Sequence, residues 1–303
     1  MTELNNGVPV ITICIVTYNQ QAYIRECLDS VLSQQVSVPF EVIVSDDGST
    51  DSTRDILHEY ANRYPNLKLV LRPQNLGALK NFVATHDLAT GDYVCHLDGD
   101  DRWLPGKLES QFQFLSQNKD FNACWTRTNL FNDQGGFVSG FEQNFDYFEN
   151  LEVDFAHALR VGIVAPHCSL MYRKSARMSK EDGVERIDLF YTWEFLSMGK
   201  GKILDNCLAE YRLFSTGAIT RNSGVRIKKM YIEHADYFVK KYPQYANDIF
   251  VFVFLNFLLD FKNKRSTAGG FFKLSLKTLS FKAVMNFASG IRTILKMKPK
   301  RLN

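Results

Sequence analysis

Apolar, β-branched segments alternate with amphipathic segments between residues 10 and 97, and this alternation constrains the fold more than any other feature. The predicted strands are Val10–Thr17, Phe40–Ser45, Leu67–Leu71 and Asp92–Leu97, and the predicted helices between them are Gln21–Gln34, Ser52–Tyr64 and Ala78–Leu88. The first strand is almost wholly apolar, as expected for a strand buried on both faces of a sheet. The spacing predicts βαβ units and therefore an α/β fold, with a mostly parallel, doubly wound sheet flanked by helices.

Polar, acid-rich residues follow three of these strands. Thr17-Tyr18-Asn19 ends the first strand, Asp46-Asp47 follows the second, and Asp98 to Asp101 follow the fourth. Ligands of open α/β sheets bind beyond the carboxyl ends of the strands. We therefore expect the three strand tips to meet at one edge of the sheet and to form a single site.

Three carboxylates lie within four residues in Asp98-Gly99-Asp100-Asp101. Charges this close repel one another, so they need either the solvation of a surface turn or a cation. Mg²⁺ and Mn²⁺ take oxygen ligands and leave coordination positions for phosphate oxygens. Together with the other two tips, the stretch predicts a site for Mg²⁺ or Mn²⁺ on Asp98 and Asp100, where Gly99 lets both side chains reach one side. A solvated turn is the alternative.

The rest of the chain has a less regular pattern, and residues 121–165 show no clear periodicity. The remaining predicted elements are a helix from Pro105 to about Asn118, a strand over Ile163–Arg173, a helix over Asp188–Met198 and, from Val225, two or three amphipathic helices with a break at Thr267–Gly270.

The charge of the chain is unevenly distributed. Between Phe261 and Asn303 there are eleven Lys and Arg and no Asp or Glu, whereas residues 1–260 carry 25 basic and 33 acidic groups. In Phe271–Lys277 and Phe281–Lys298 the basic residues are interleaved with aromatic and aliphatic ones, a composition typical of helices that lie on an anionic membrane surface. A solvated basic helix and a helix packed on the rest of the chain are the alternatives. Nucleic-acid binding has no supporting motif.

Cysteine usage and hydropathy predict the compartment. The six cysteines are scattered and none forms a C-x-x-C pair, which argues against a zinc cluster. Met1 to Pro9 is polar and unlike a signal peptide. The longest apolar run, Ile249 to Phe261, is shorter than the roughly 20 residues that cross a bilayer. These features predict a protein of a reducing cytoplasm.

Taken together, these segments resemble the family 2 glycosyltransferases of the GT-A fold, a group of inverting enzymes that use nucleotide sugars. The residues that carry the resemblance are Ile15 to Asn19, Val44 to Asp51, Asn75-Leu76-Gly77 with Asn81, Leu97 to Asp101 with Trp103, and Tyr211-Arg212. They cover about residues 8–220, and they are specific as a set although each is weak alone. Many relatives have a His two residues after the Tyr-Arg pair, where this chain has Phe214. The metal would then have fewer protein ligands, or His167 would compensate.

The resemblance implies roles for the residues at the strand tips. Asp46 or Asp47 would contact the nucleobase or ribose, Asp98 would approach the ribose and the metal, and Asp100 would bind the metal directly. The full set of expected nucleotide-sugar contacts is Thr17, Tyr18, Asn19, Asp46, Asp47, Ser49, Gly77, Lys80, Asp98 and Gly99.

An inverting transfer also needs a base for the proton of the acceptor hydroxyl. In the family this base is an acid at the start of a helix that precedes a Gly-Lys stretch, and its best match here is Asp188, upstream of Lys200. Asp182, Glu181 and Glu194 are the other candidates. A role as a simple helix cap is the alternative for Asp188.

The resemblance implies a GT-A domain over residues 1–222, with a nucleotide-binding half at 8–104 and an acceptor half at 105–222. A helical C-terminal extension follows at 223–303. The expected protein is a cytoplasmic hexosyltransferase-type enzyme that contacts the inner face of the cell membrane through its basic tail.

The expected reaction transfers a sugar from a nucleotide sugar, a UDP-sugar first, to a hydroxyl of a saccharide or polyprenyl-linked acceptor. The expected pathway is the biosynthesis of bacterial capsule, O-antigen or exopolysaccharide. A sugar-nucleotide nucleotidyltransferase is one alternative, but it needs a Gly-rich, basic loop where this chain has Tyr18 to Gln21. A non-catalytic GT-A-like scaffold is the other, and the intact Asp98, Asp100 and Asp188 argue against it.

Overall fold

The computed structural model describes residues 10–133, 136–140, 148–178, 185–213 and 224–296. The strands within these ranges are β1 Ile11–Thr17, β2 Phe40–Asp46, β3 Leu67–Leu71, β4 Tyr93–Asp98, β5 Arg102–Trp103, β6 Phe121–Phe131, β7 Phe137–Gly140, β8 Glu152–Val153, β9 Met171–Arg173 and β10 Lys200–Arg212. The α-helices are α1 Ile24–Leu32, α2 Thr53–Arg63, α3 Ala78–His86, α4 Lys107–Gln117, α5 Phe155–Val161, α6 Asp188–Leu196, α7 Gly224–Lys241, α8 Ala246–Lys262, α9 Ala268–Thr278 and α10 Phe281–Lys296. Short 3₁₀ helices lie at Glu149–Leu151, His167–Ser169, Lys174–Ala176 and Pro243–Tyr245.

The chain forms two compact units. The first unit contains residues 1–141, 165–184 and 201–217, and the second contains residues 142–164, 185–200 and 218–303. The last segment of the second unit begins close to the predicted domain boundary at residue 222. Two earlier segments, which carry α5 and α6, also belong to the second unit.

The sheet runs in the order β3-β2-β1-β4-β9-β6-β10-β5, with β7 beside β6. Strands β3, β2, β1 and β4 pair in parallel, as the alternation of strands and helices predicts. β9 is antiparallel to β4 and β6, and β5 is antiparallel to β10. The α/β fold with a central sheet flanked by helices is therefore confirmed, and its second half is antiparallel.

The core of the first unit explains why the parallel strands were predictable. All seven residues of β1 are buried, and the apolar side chains of β1 and β2 pack against α1 and α2 in one cluster. By contrast β10, with 13 residues, mixes buried positions with exposed ones. Antiparallel strands with one solvated face have this mixed composition, which is why the second half of the sheet lacks long apolar runs.

One predicted strand is shorter than expected. Only Met171–Arg173 of the predicted strand Ile163–Arg173 is a strand, and His167–Ser169 is a 3₁₀ helix. Pro166 immediately precedes that helix. Proline has no N–H to donate to a strand ladder, which accounts for the interruption.

Aromatic rings fill the core of the second unit. The buried indole of Trp193 in α6 lies edge-on to Phe238 and Phe252, with ring centroids 5.3 and 5.4 Å away. Its Nε1–H donates to the carbonyl of Ala158 at 3.0 Å. These contacts join α5, α6, α7 and α8.

Four helices follow residue 224 in the described chain, rather than the two or three predicted. A break does precede α9, with Thr267 as the N-cap of that helix, but it lies a few residues earlier than predicted, because Gly269 and Gly270 are within the first turn of α9. A Cβ on Gly270 would lie 2.7 Å from Cδ1 of Ile232, so the glycine permits a close approach of α9 to α7. In the described residues no helix combines the length and apolarity needed to cross a membrane.

Candidate active site

The carboxyl ends of β2, β1 and β4 lie side by side at one edge of the sheet. The strand register places Thr17 beside Asp46 and Val16 beside Asp98. Beyond β4, the N–H of Gly99 donates to the carbonyl of Val16 at 2.9 Å. The three polar tips therefore meet, as the order of strands and helices predicted.

Asn19 joins the first tip to the second. Its backbone N–H donates to Oγ of Ser49 at 2.8 Å, and its Oδ1 accepts the N–H of Thr50 at 2.8 Å. Asn19 has a positive φ of 52°, a conformation that asparagine tolerates better than most residues. Asn19 and Ser49 thus hold the two loops together.

Asp46 is fully buried at the end of β2. Its Oδ1 accepts hydrogen bonds from the N–H of Ser49 at 3.0 Å and from Nε of Arg54 at 2.6 Å. Its Oδ2 is buried and has no hydrogen-bond partner in the described structure. Asp46 therefore keeps one acceptor atom for a ligand.

Asp47 shapes the loop that follows β3. Its two carboxylate oxygens accept the N–H groups of Leu76 at 2.8 Å and Gly77 at 3.0 Å. Gly48 has a φ of +82°, and a Cβ there would lie 2.9 Å from the backbone nitrogen of Asn75. Both oxygens of Asp47 are thus engaged by the loop, unlike those of Asp46.

Asp101 anchors the acidic turn to the end of β10. Its buried Oδ1 accepts the backbone N–H of Arg212 at 2.8 Å, and Nε of Arg212 donates to the carbonyl of Asp100 at 2.9 Å. Burial, together with the charges of Asp100 and Asp98, raises the pKa of the Asp101 carboxyl well above its usual range. Asp101 is therefore a structural member of the turn.

Arg212 braces this turn from several sides. Its Nη2 donates to Oε2 of Glu26 at 2.5 Å. Its guanidinium lies 4.2 Å from the ring centroid of Phe131 and 4.5 Å from that of Tyr23. The sequence contained the Tyr211-Arg212 pair but gave Arg212 no role, because its partners are distant along the chain.

Asp98 ends a chain of hydrogen-bonding groups. Its Oδ1 lies 3.4 Å from Nε2 of His96. Nδ1 of His96 lies 3.1 Å from Nε2 of His86, whose Nδ1 lies 2.8 Å from the hydroxyl of Tyr172. Burial opposes ionisation of Asp98, but the charge and hydrogen bond of His96 outweigh it and lower the pKa of this carboxyl. His96 is therefore the contact of Asp98 within β4.

His167 packs against the rings of this hydrogen-bonded series but is not one of its members. Its ring centroid lies 4.8 Å from that of His96 and 5.3 Å from that of Phe82. Burial, followed by the neighbouring His96, lowers the pKa of His167 to about 3. Burial likewise lowers the pKa of His86 well below its usual value. His167 and His86 are thus neutral at physiological pH.

The acid pair fits a divalent cation that is shared with a substrate. Among the residues that the structure describes, no three side chains of Asp, Glu, His or Cys form a group that could hold a metal. His167 therefore does not complete a set of three with Asp98 and Asp100, and Phe214 lies outside the described residues. Mg²⁺ is commonly held by one or two carboxylates together with substrate phosphates, which matches the two acids present.

Unpartnered acceptor atoms gather beside this pair. Oγ1 of Thr17 and Oε1 of Gln20 are buried without a hydrogen-bond partner in the described structure, as is Oδ2 of Asp46. A Cβ on Gly99 would lie 2.4 Å from Oε1 of Gln20 and 3.0 Å from Oγ1 of Thr17, so these groups adjoin the acidic turn. A buried polar atom without a partner is costly. Several of them at one sheet edge indicate a binding site.

The other predicted contacts lie at the surface. Tyr18 is exposed next to the first tip, and Lys80 is exposed in the first turn of α3. Gln20, Arg54 and Arg212 were not predicted from the sequence. The sequence offers little to distinguish them, because glutamine is a common surface residue, and so is arginine on a helix or at a strand end.

The predicted base belongs to the second unit. Asp188 is the first residue of α6, and its Oδ1 accepts the N–H of Leu189 at 2.8 Å, a favourable place for a negative charge. Glu194 is buried in the same helix. Asp182 and Glu181 lie outside the described residues. The catalytic role of Asp188 stays a prediction.

Comparison with known proteins identifies the family. The profile described as "Glycosyl transferase family 2" matches residues 12–178, which include all three strand tips. The chain belongs to glycosyl transferase family 2.

Two relatives show how far the similarity extends. An uncharacterized protein of Mycobacterium tuberculosis is 33% identical over 211 residues, which cover 68% of this chain and 59% of that protein. The chain therefore spans less than two thirds of the length of this relative. The putative teichuronic acid biosynthesis glycosyltransferase TuaG of Bacillus subtilis is 30% identical over 237 residues, which cover 77% of this chain and 90% of TuaG.

Solved structures share the fold. S. aureus TarS superposes with a TM-score of 0.66 at 20% identity, over 96% of this chain and 82% of that one. The mannosyltransferase PcManGT of Pyrobaculum calidifontis gives a TM-score of 0.60 at 18% identity, over 96% and 81% of the two chains. At these identities the likeness concerns the GT-A fold alone.

Proposed function

We propose that this chain is an inverting glycosyltransferase that moves a sugar from a nucleotide sugar to a hydroxyl of a saccharide or lipid-linked acceptor. One observation carries the proposal. Three strand tips meet at one sheet edge, where buried acceptor atoms of Thr17 and Asp46 lack partners beside the acid pair Asp98 and Asp100. A nucleoside diphosphate sugar offers N–H and hydroxyl donors for the first two residues and, with a cation, phosphates for the pair.

In this proposal each strand tip binds a different part of the nucleotide sugar. Oδ2 of Asp46 accepts an N–H of the nucleobase, and Oγ1 of Thr17 binds the same nucleoside. Asp98, oriented by His96, would face the ribose and the cation, and Asp100 would bind the cation. A UDP-sugar is the first candidate, since a TarS structure contains UDP-GlcNAc, whereas the PcManGT structure contains GDP-Man and Mn²⁺.

The chain's own acids account for the chemistry of an inverting transfer. Mg²⁺ or Mn²⁺, when bound, supplies Lewis-acid stabilisation of the leaving diphosphate. Asp98 and Asp100 are the residues that would hold the metal ion at the sheet edge. A base must take the proton of the acceptor hydroxyl, a contribution of about 10²–10⁴ in rate, and Asp188 is the proposed base. Its carboxylate takes this proton as the anomeric carbon bonds to the acceptor oxygen, while the bond from that carbon to the diphosphate breaks and the nucleoside diphosphate leaves with the electron pair.

The proposed pathway is the assembly of a bacterial surface polysaccharide. The name of TuaG, which the chain matches over 90% of TuaG's length, refers to teichuronic acid biosynthesis. This relative favours a saccharide acceptor, and a growing chain on a polyprenyl carrier is the form that we propose.

Hydrolysis of the donor tests the proposal without knowledge of the acceptor. Nucleotide release is measured from UDP-, GDP- and dTDP-sugars with Mn²⁺, for the wild type, for Asp100→Asn and for Asp120→Asn. Asp120 is an exposed aspartate outside the site, so Asp120→Asn controls for the loss of a charge. We expect release by the wild type and by Asp120→Asn, and a loss of about 10²-fold or more in Asp100→Asn. Absence of release from every donor by the wild type would falsify the proposal.

A second arm tests the base. Asp188→Asn is expected to retain donor binding, measured as a thermal shift with the nucleotide sugar, while losing transfer. A variant that keeps full transfer activity would move the role to Glu194 or to one of the undescribed acids.

A further inference from the structure

Helix α10 of the second unit carries apolar side chains both on its inward face and on an adjoining exposed face. One face packs inward, where Phe287 lies 5.0 Å from Phe254 of α8 between ring centroids and Ala283 is fully buried. The other face carries Phe281, Val284 and Met285, which are 85%, 46% and 53% exposed. Residues spaced by three and four positions share one side of a helix, so these three form a single outward stripe.

Helix α9 repeats this arrangement. Its inward face contains the buried residues Phe271 and Leu274. Phe272, Leu276 and Leu279 are exposed and follow one another at intervals of four and three residues, along α9 and its C-cap. They form a second apolar stripe, and each of its three side chains is between 43% and 55% exposed.

A line of aromatic rings connects this surface with the end of α8. The ring centroid of Phe257 lies 5.1 Å from Phe272 and 5.7 Å from Phe261. Phe261, at the end of α8, is 69% exposed. Large exposed apolar surfaces are uncommon on monomeric soluble proteins and mark sites of interaction.

The charges beside the stripes are all positive. Lys273, Lys277 and Lys282 are exposed on α9 and α10, and residues 261–303 contain no Asp or Glu. Two described acids of other helices lie close to them, and both are already paired. Asp236 of α7 is paired with Lys277 at 3.0 Å and with Lys240 at 2.6 Å, and Asp248 of α8, which accepts a hydrogen bond from Asn286 of α10, is paired with Arg160 at 2.7 Å. The complementary surface must therefore combine apolar groups with negative charge.

We propose that the outer stripes of α9 and α10 bind the surface of an anionic lipid bilayer. Interfacial helices place aromatic and aliphatic side chains at the level of the acyl chains while lysines contact anionic headgroups. A second copy of this chain fits less well. A symmetric dimer through this face would bring two basic surfaces together without any acid to neutralise them.

Vesicle co-sedimentation with the full chain tests this inference. Vesicles of phosphatidylcholine alone are compared with vesicles that also contain phosphatidylglycerol, at about 0.1 M and about 1 M salt, where the Debye length falls from about 10 Å to about 3 Å. We expect binding to the anionic vesicles at low salt and a large loss at high salt or on neutral vesicles.

Two surface variants and one control separate the apolar and the charged contributions. Phe281→Ser with Met285→Ser is expected to weaken binding about tenfold or more, because two side chains no longer leave water. Lys273→Gln with Lys282→Gln, which alters no buried side chain, is expected to weaken binding to anionic vesicles only. Phe137→Ser, at a 67% exposed phenylalanine of the first unit, is the matched control and should bind as the wild type does.

Three outcomes would overturn the inference. Equal recovery with neutral and anionic vesicles would exclude recognition of charge. Unchanged binding by both double variants would place any membrane contact elsewhere on the chain. A dimer in light scattering that the Phe281 and Met285 substitutions dissociate, without vesicle binding by the wild type, would make the face an interface between copies. None of these readouts depends on the glycosyl transfer proposed above.

Discussion

The carboxylate of Asp46 is buried, and within the described structure Arg54 supplies its compensating charge. We expect Arg54→Met to lower the free energy of unfolding by about 1.5–3 kcal/mol, the range for hydrogen bonds to a charged group. Urea denaturation measures the change. Arg25→Met is the control, since Arg25 pairs with Glu59 on the open surface, where ion pairs add little. Equal losses in the two variants would show that burial of Asp46 does not matter.

The hydroxyl of Tyr172 is the far end of the hydrogen-bonded series that runs through His86 and His96 to Asp98. We expect Tyr172→Phe to cost about 1–3 kcal/mol of stability, because Nδ1 of His86 is left buried without its partner. If this series positions Asp98, the variant should also bind Mn²⁺ more weakly in calorimetry of the protein with the nucleotide. A variant with unchanged stability and unchanged Mn²⁺ affinity would show that this hydrogen-bonded series neither stabilises the fold nor positions Asp98.

At the residue scale, the sequence predicted the acids and the hydroxyls of the strand tips but not the groups that hold them. Thr17, Asp46 and Asp98 could be predicted because each ends a recognisable strand. His86 and Tyr172 are 86 positions apart, and no local pattern predicts such a contact. His96 is different, because alternate residues of β4 share a face, so its position two residues before Asp98 is a local pattern from which this contact could have been predicted.

Glu41 shows how one buried acid ties strands together. It lies on β2, where it accepts a hydrogen bond from Thr12 of β1 at 2.7 Å and contacts Lys68 of β3 at 2.7 Å. Burial works against its ionisation, but the bonds from Lys68, Thr90 and Thr12 prevail and lower its pKa to about 2. The ionised form is thus favoured by folding.

The pH dependence follows from this direction. Because the pKa is lower in the folded state, the contribution of Glu41 is complete above about pH 4.5 and is lost as the pH falls toward 2. Glu41→Gln should therefore be less stable than the wild type at neutral pH, with the gap closing near pH 2. Urea midpoints at both pH values measure this, and Glu149→Gln, at an exposed acid, is the control. A gap that does not change with pH would contradict the assignment.

At the scale of elements, the parallel half of the sheet followed from the sequence, whereas the antiparallel half did not. β1 and β2 are buried on both faces, so hydrophobicity alone marks them. β6 and β10 mix buried and partly exposed positions over 11 and 13 residues, a composition that turns and loops also have. Gly269-Gly270 misled the prediction because their role, a close approach of α9 to α7, depends on tertiary contacts.

For the whole molecule, the division into two compact units predicts two separable unfolding transitions. Trp103 and Trp125 belong to the first unit and Trp193 to the second. In Trp193→Phe, which leaves a cavity in the second core, we expect helical circular dichroism to fall at a lower denaturant concentration than the emission change of the two remaining tryptophans. Coincident transitions would show that the units unfold as one cooperative body.

The bonds from Arg212 to Asp100 and Asp101 cross more than a hundred positions of the chain, 112 in the case of the Asp100 carbonyl. During synthesis the strand tips of the amino-terminal part emerge long before this arginine does. Until then the acidic turn lacks its hydrogen bonds to Arg212, and nothing offsets the repulsion among its three carboxylates in the final conformation. Competence for binding a charged substrate should accordingly arise late in translation, and a nascent chain released before residue 212 should not bind one.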